Sequence, residues 1–189
     1  MNEANFCKRM GDLVTGDGFW RDVSIPLQAA HLQSDGSPLT VTLTTNPGWI
    51  KADTNVTVLA WAADKVVEAG IGVDIPGDYD ETQDALVVWL LAKMSGSTAT
   101  TTALKSAVYA QDAPTTDLAP DQTADLTSAY QWVKFDLSGK GLSANDHLHL
   151  TLYPEAHATD AVYVSAIKLR YRGDLAIFDE DERSSGTAA

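Results

Sequence analysis

Cysteine is nearly missing from this chain. Cys7 stands alone among 189 residues, so no intrachain disulfide can form and a small secreted module stapled by disulfides is excluded. With no second thiol beside it, Cys7 reads as a spectator. Basic residues are also scarce: 13 Lys and Arg face 26 Asp and Glu, a formal net charge of -13. A surface this acidic repels phosphate backbones, so nucleic acid is not expected as a partner of the body. Long apolar runs are absent as well. The longest, Ala85 to Ala92, stops at Lys93, far short of the roughly 20 residues a helix needs to cross a bilayer, so no membrane partner is expected. The first ten residues hold no apolar signal core, and a protein made and kept in a cytoplasm, or carried in a particle assembled there, is the expectation. Nucleophile-elbow, Walker, Rossmann and Cys-x-x-Cys patterns are all absent.

What the chain does contain is alternation. In His147 to Tyr153, Leu148, Leu150 and Leu152 fall on one side and His147, His149, Thr151 and Tyr153 on the other, the period of a half-buried strand. Val133, Phe135 and Leu137 alternate with Lys134 and Asp136 up to a Ser-Gly-Lys-Gly turn at 138–141, whose glycines accept positive φ. These two strands are expected to pair around that turn. Ile167, Leu169 and Tyr171 alternate with Lys168, Arg170 and Arg172, a third strand with a basic outer face.

Upstream, Val23, Ile25 and Leu27 suggest a strand that Pro26 restricts to an edge. Leu39, Val41 and Leu43 alternate strictly with Thr40, Thr42 and Thr44 and predict a further strand, broken at Asn46-Pro47-Gly48. Strands are also expected over 55–63, less clearly over 66–75, and over 85–94, where an apolar run suits a central strand covered on both sides and places Trp89 in the core. A loose alternation over 100–111 gives way to a long loop over 112–124. Eight or nine strands with turn signals about every dozen residues predict an all-β, antiparallel two-sheet sandwich, a jelly roll first among them. The expected organisation is an N-terminal arm or short helix (1–20), a sandwich (21–175) and an acidic tail (176–189) carrying Asp179, Glu180, Asp181 and Glu182. Phe6 and Met10, with Leu13 and Val14, have helix-like spacing on the arm and are candidates for docking on the body or on a neighbouring subunit.

Several clusters invite chemistry. His147 and His149 share a strand face, with Asp146 beside them and His157 nearby; zinc needs three or four converging ligands, and a wet strand has the same composition. Asp78, Asp80, Glu81 and Asp84, and Asp117, Asp121 and Asp125, raise a calcium reading, but neither set matches an EF-hand loop and solvated loop charges are the simpler expectation. No metal or other cofactor is therefore assigned. Tyr130 and Trp132, opposite Val133 and Phe135, are candidate contact residues for a sugar or a protein. Lys168, Arg170 and Arg172 either meet an acidic partner or form a solvated edge that resists strand pairing.

Three stretches carry a resemblance: Trp132 to Gly139 (Trp-Val-Lys-Phe-Asp-Leu-Ser-Gly), Leu142 to Leu152 (Leu-Ser-Ala-Asn-Asp-His-Leu-His-Leu-Thr-Leu), and Asp160 to Leu175. Their strand grammar resembles the jelly-roll head decoration, or cement, proteins of tailed bacteriophages, over about Asp84 to Leu175, and is shared with carbohydrate-binding modules. The resemblance implies a virion protein on the capsid exterior, without an active site, that bridges major capsid protein subunits as a homo-oligomer, dimer or trimer. The alternative is a carbohydrate-binding or receptor-binding β-sandwich with Tyr130 and Trp132 as stacking platforms.

Overall fold

The computed structural model describes residues 19–41, 47–53, 55–96, 102–120, 122–155 and 160–173. Phe6, Met10, Cys7, His157 and the acidic tail lie outside them. Among the described residues the only helical segment is a 3-10 turn, Leu27–Ala29. The described residues form eleven strands in two antiparallel sheets. Sheet A runs β3 (Gly48–Asp53), β4 (Val56–Trp61), β11 (Val162–Gly173), β6 (Leu86–Met94), β9 (Gln131–Asp136), with β1 (Phe19–Ile25) also paired to β11. Sheet B runs β2 (His31–Leu32), β5 (Ala69–Asp74), β10 (His147–Pro154), β7 (Thr102–Ala110), β8 (Thr123–Leu126). From β4 onward each connection crosses from one sheet to the other except β7 to β8, so β4-β11-β6-β9 face β5-β10-β7-β8. That winding is the jelly roll.

The alternation read from the sequence sets the core. Leu148, Leu150 and Leu152 of β10, Leu104 and Val108 of β7 and Ile71 of β5 meet Val88 and Leu90 of β6, Val133 and Phe135 of β9, and Ile167 and Leu169 of β11, all buried in one cluster. Along β11 the inward parity switches: Val162 and Val164 are buried, then Ile167, Leu169 and Tyr171. A register shift between Val164 and Ala166 absorbs the extra residue, and Ser165 in the bulge donates its hydroxyl to the Leu91 carbonyl at 3.2 Å. Trp61, wholly buried, donates its indole N–H to the Val67 carbonyl at 2.7 Å, which ties β4 to the segment leading into β5.

Several expectations need correction. The strands on either side of Ser138–Gly141 do not pair. Gly139 and Gly141 do take positive φ, 73° and 68°, but β9 joins β6 in sheet A while β10 joins β5 and β7 in sheet B. The turn therefore crosses between sheets, with Leu137 and Leu142 buried at its two ends. Over 39–41 no strand forms. Thr40 makes a single parallel bridge to Gly48, Leu39 is buried and Val41 is 79% exposed. β-Propensity without a ladder partner is not enough. The strand over Gly48–Asp53 was not expected, and residues 19 and 20, assigned to the arm, open β1. β11 is interior to sheet A, with β1 and β4 on one side and β6 on the other, so its basic row is not an edge device. Trp89 is a half-buried residue of the outer face, paired with Lys168 and Lys134, and not part of the core.

Candidate functional site

The two outer faces of the sandwich differ in chemistry. Sheet A brings together the five described residues that the sequence offers as contact candidates, Tyr130, Trp132, Lys168, Arg170 and Arg172. Lys168 and Arg170 of β11 flank Asp22 of β1 at 2.9 and 3.0 Å. Lys168 Nζ stands 4.8 Å over the Trp132 ring, Lys93 Nζ 4.6 Å over Tyr130, and the Arg172 guanidinium 4.7 Å over Trp20. Trp20, Trp132 and Tyr130 are 47%, 44% and 38% exposed. One face of each ring is thus already taken by a cation. Trp20, Lys93 and Lys134 belong to this surface and were not singled out, because their neighbours come from β1, β6 and β9, far apart in the chain.

Sheet B carries a groove of about 550 Å³ on its outer face, lined by Gln33, Glu68, Tyr109, Pro114, Thr115, His149 and Thr151. Two of these lining residues, His149 and Thr151, stand opposite glycines of β5. Gly72 pairs with His149 and Gly70 with both Thr151 and His31. A Cβ on Gly70 would overlap Gln33 Oε1 and come within 2.8 Å of His31 Nε2, so glycine is what lets those side chains lie across the strand. One rim is Gln33 and Glu68, joined by the Gln33 N–H to the Glu68 carbonyl at 3.1 Å. The other rim is Pro114 and Thr115, held by Asp117, whose Oδ1 accepts from the Val108 and Ala119 amides, both at 2.9 Å.

Within the groove, Thr151 is only 2% exposed and its Oγ1 has no hydrogen-bond partner. A buried hydroxyl without a partner is costly. Tyr109, opposite His149 across the β7–β10 pair, has its phenol pKa raised by burial first and then by the nearby Asp117 and Glu68 carboxylates, so it stays a hydrogen-bond donor. The sequence shows the alternation that puts His149 and Thr151 outward. It does not show that they stand opposite glycines of β5.

The other clusters are committed to structure. His147 Nδ1 lies 2.5 Å from Asp74 Oδ1, and the His147 and His149 rings meet edge-on at 4.9 Å. Asp146 accepts from the Ser143 amide at 2.7 Å. Among the described residues no three His, Cys, Asp or Glu side chains converge on a point. The acids of 78–84 are not free loop charges. Asp78 accepts from Tyr171 at 2.8 Å and pairs with Arg21. Asp80, buried, accepts from the Thr82 amide and hydroxyl. Glu81 takes the Ala144 amide at 2.9 Å, and Asp84 takes the Tyr79 hydroxyl at 2.9 Å. Burial first, then the bond to Asp78, pushes the Tyr171 pKa up to about 12, and Tyr79 is raised for the same reasons beside Asp84.

No family model and no curated protein matches the sequence. Solved structures do match. A xylan-binding module, CBM15, aligns with a TM-score of 0.51 at 11% identity, covering 84% of this chain and 99% of that one. A CBM4 structure reaches 0.45 at 11% identity over 76% and 85% of the two chains. The CBM22-1 xylan-binding domain of Xyn10C from Paenibacillus barcinonensis reaches 0.45 at 11% identity over 80% and 98%. At such identity the likeness is one of fold: this chain is a two-sheet β-sandwich of the architecture that the CBM15 module also uses.

Proposed function

We propose that the protein is a carbohydrate-binding β-sandwich that holds a stretch of neutral polysaccharide in the sheet B groove, without cleaving it. The observation that carries this is the unpartnered Thr151 hydroxyl among the polar residues that line the groove. A sugar hydroxyl both donates and accepts, so it can complete Thr151 while Gln33, Glu68 and His149 bond its neighbours. Tyr109 offers the ring against which a pyranose face packs. The volume lies in the range of about 300–1,000 Å³ usual for ligand sites. Glu68 in the rim and a chain charge of -13 both disfavour uronic acids, which is why a neutral polymer is named. The fold likeness to a xylan-binding module makes xylan the first polymer to try.

Affinity electrophoresis in gels cast with xylan, mixed-linkage β-glucan or mannan tests this. The wild type is expected to be retarded in at least one gel, with Tyr109→Ala losing most of the retardation and no reducing ends released. No retardation in any neutral polymer overturns the proposal, and retardation lost in Trp132→Ala but kept in Tyr109→Ala moves the sugar to sheet A. The head-decoration role implied by the sequence resemblance is a separate proposal, and it requires saturable, stoichiometric binding to undecorated particles.

A further inference from the structure

The outer face of sheet A concentrates positive charge on a protein that is otherwise acidic. Lys93, Lys134, Lys168, Arg170 and Arg172 stand there with Asp22 and Asp136, five cations against two carboxylates, while the whole chain carries -13. Among them rise Trp20, Trp132 and Tyr130, the large exposed rings of this face, and the Trp89 indole N–H beneath has no hydrogen-bond partner. We infer that this face docks an acidic protein surface.

Charge complementarity gives the sign of the partner. Trp, Tyr and Arg together are the residue types that dominate protein interface energetics. The cations standing 4.6 to 4.8 Å above Tyr130, Trp132 and Trp20 occupy ring faces that a stacked sugar needs, and they keep the face positively charged. This favours an acidic polypeptide over an acidic glycan. Asp22, bound to both Lys168 and Arg170, holds those two side chains in place before any partner arrives. A twofold pair formed through this face would set cation against cation, so the partner presents a different surface.

The test passes the full-length protein over immobilised poly-L-glutamate at low ionic strength. Bulk charge of -13 repels a polyanion, so retention requires a local face of opposite sign. Expected are retention, release on raising salt, and at least a tenfold loss in a Lys168→Glu/Arg170→Glu variant. Trp132→Ala, a single change at a partly exposed position, should also weaken retention and carries the test if the double variant does not fold. Passage of the wild type unretained, or retention unchanged in these variants, overturns the inference. Retention on polygalacturonate but not on poly-L-glutamate overturns it in favour of an acidic glycan.

Discussion

Thr151 and Tyr171 are buried polar groups in opposite circumstances. Tyr171 has a partner, Asp78, and Thr151 has none. For Tyr171 the consequence is a pH dependence with a definite sign. An unfolded tyrosine ionises near pH 10, whereas the folded one holds its proton to about 12. The stabilisation is therefore fully present below pH 10 and is lost as pH rises from 10 towards 12, because the unfolded chain releases its proton first. Tyr79, raised in the same direction with its ring centroid 6.5 Å away, adds to the effect. Urea unfolding of Tyr171→Phe should show about 1 kcal/mol less stability at neutral pH and a shallower decline above pH 10 than the wild type. An equally steep alkaline decline in the variant would contradict this assignment.

The elements place these groups, and some of that placement was readable. Period two in Leu148, Leu150 and Leu152 identified β10 and its faces correctly, as it did for Ile167, Leu169 and Tyr171 in β11. Pairing was not readable. The glycine turn at 138–141 looks like a hairpin because its backbone demands are the same, but the strands it joins belong to different sheets, and only the distant residues Leu86 to Met94 decide that. Over the described part of the 39–44 alternation, 39–41, the pattern overreached: Thr40 makes one bridge and Val41 is exposed, while 42–44 lie outside the described residues. The acids of 78–84 and Asp117 read as loop charge because their partners are backbone amides, hydroxyls and, for Asp78, the distant Arg21, none of which sequence spacing reveals. Asp117 is the clearest case, since it positions one rim of the groove. Asp117→Ala should cost about 1–3 kcal/mol through two freed amides and weaken polysaccharide retardation, while Asp117→Asn, which keeps an oxygen acceptor, should recover much of both. Thermal melts and the same affinity gels check this, and an alanine variant with full retardation would detach that rim from binding.

In the assembled sandwich the two sheets present opposite chemistries outward, a polar groove on one side and rings with cations on the other. The fold class was legible because alternation and turn spacing recur along the whole chain. The groove was not, since its lining draws Gln33 and Glu68 together with Tyr109, Pro114, Thr115, His149 and Thr151 from distant parts of the sequence. The most direct check compares the wild type with Thr151→Val by calorimetric titration against the retained polysaccharide, alongside thermal unfolding. Removing a hydroxyl that has no protein partner should leave the melting temperature unchanged or higher, yet lower the affinity several-fold, up to about tenfold for one lost hydrogen bond. Undiminished affinity in Thr151→Val would contradict the groove as the binding site.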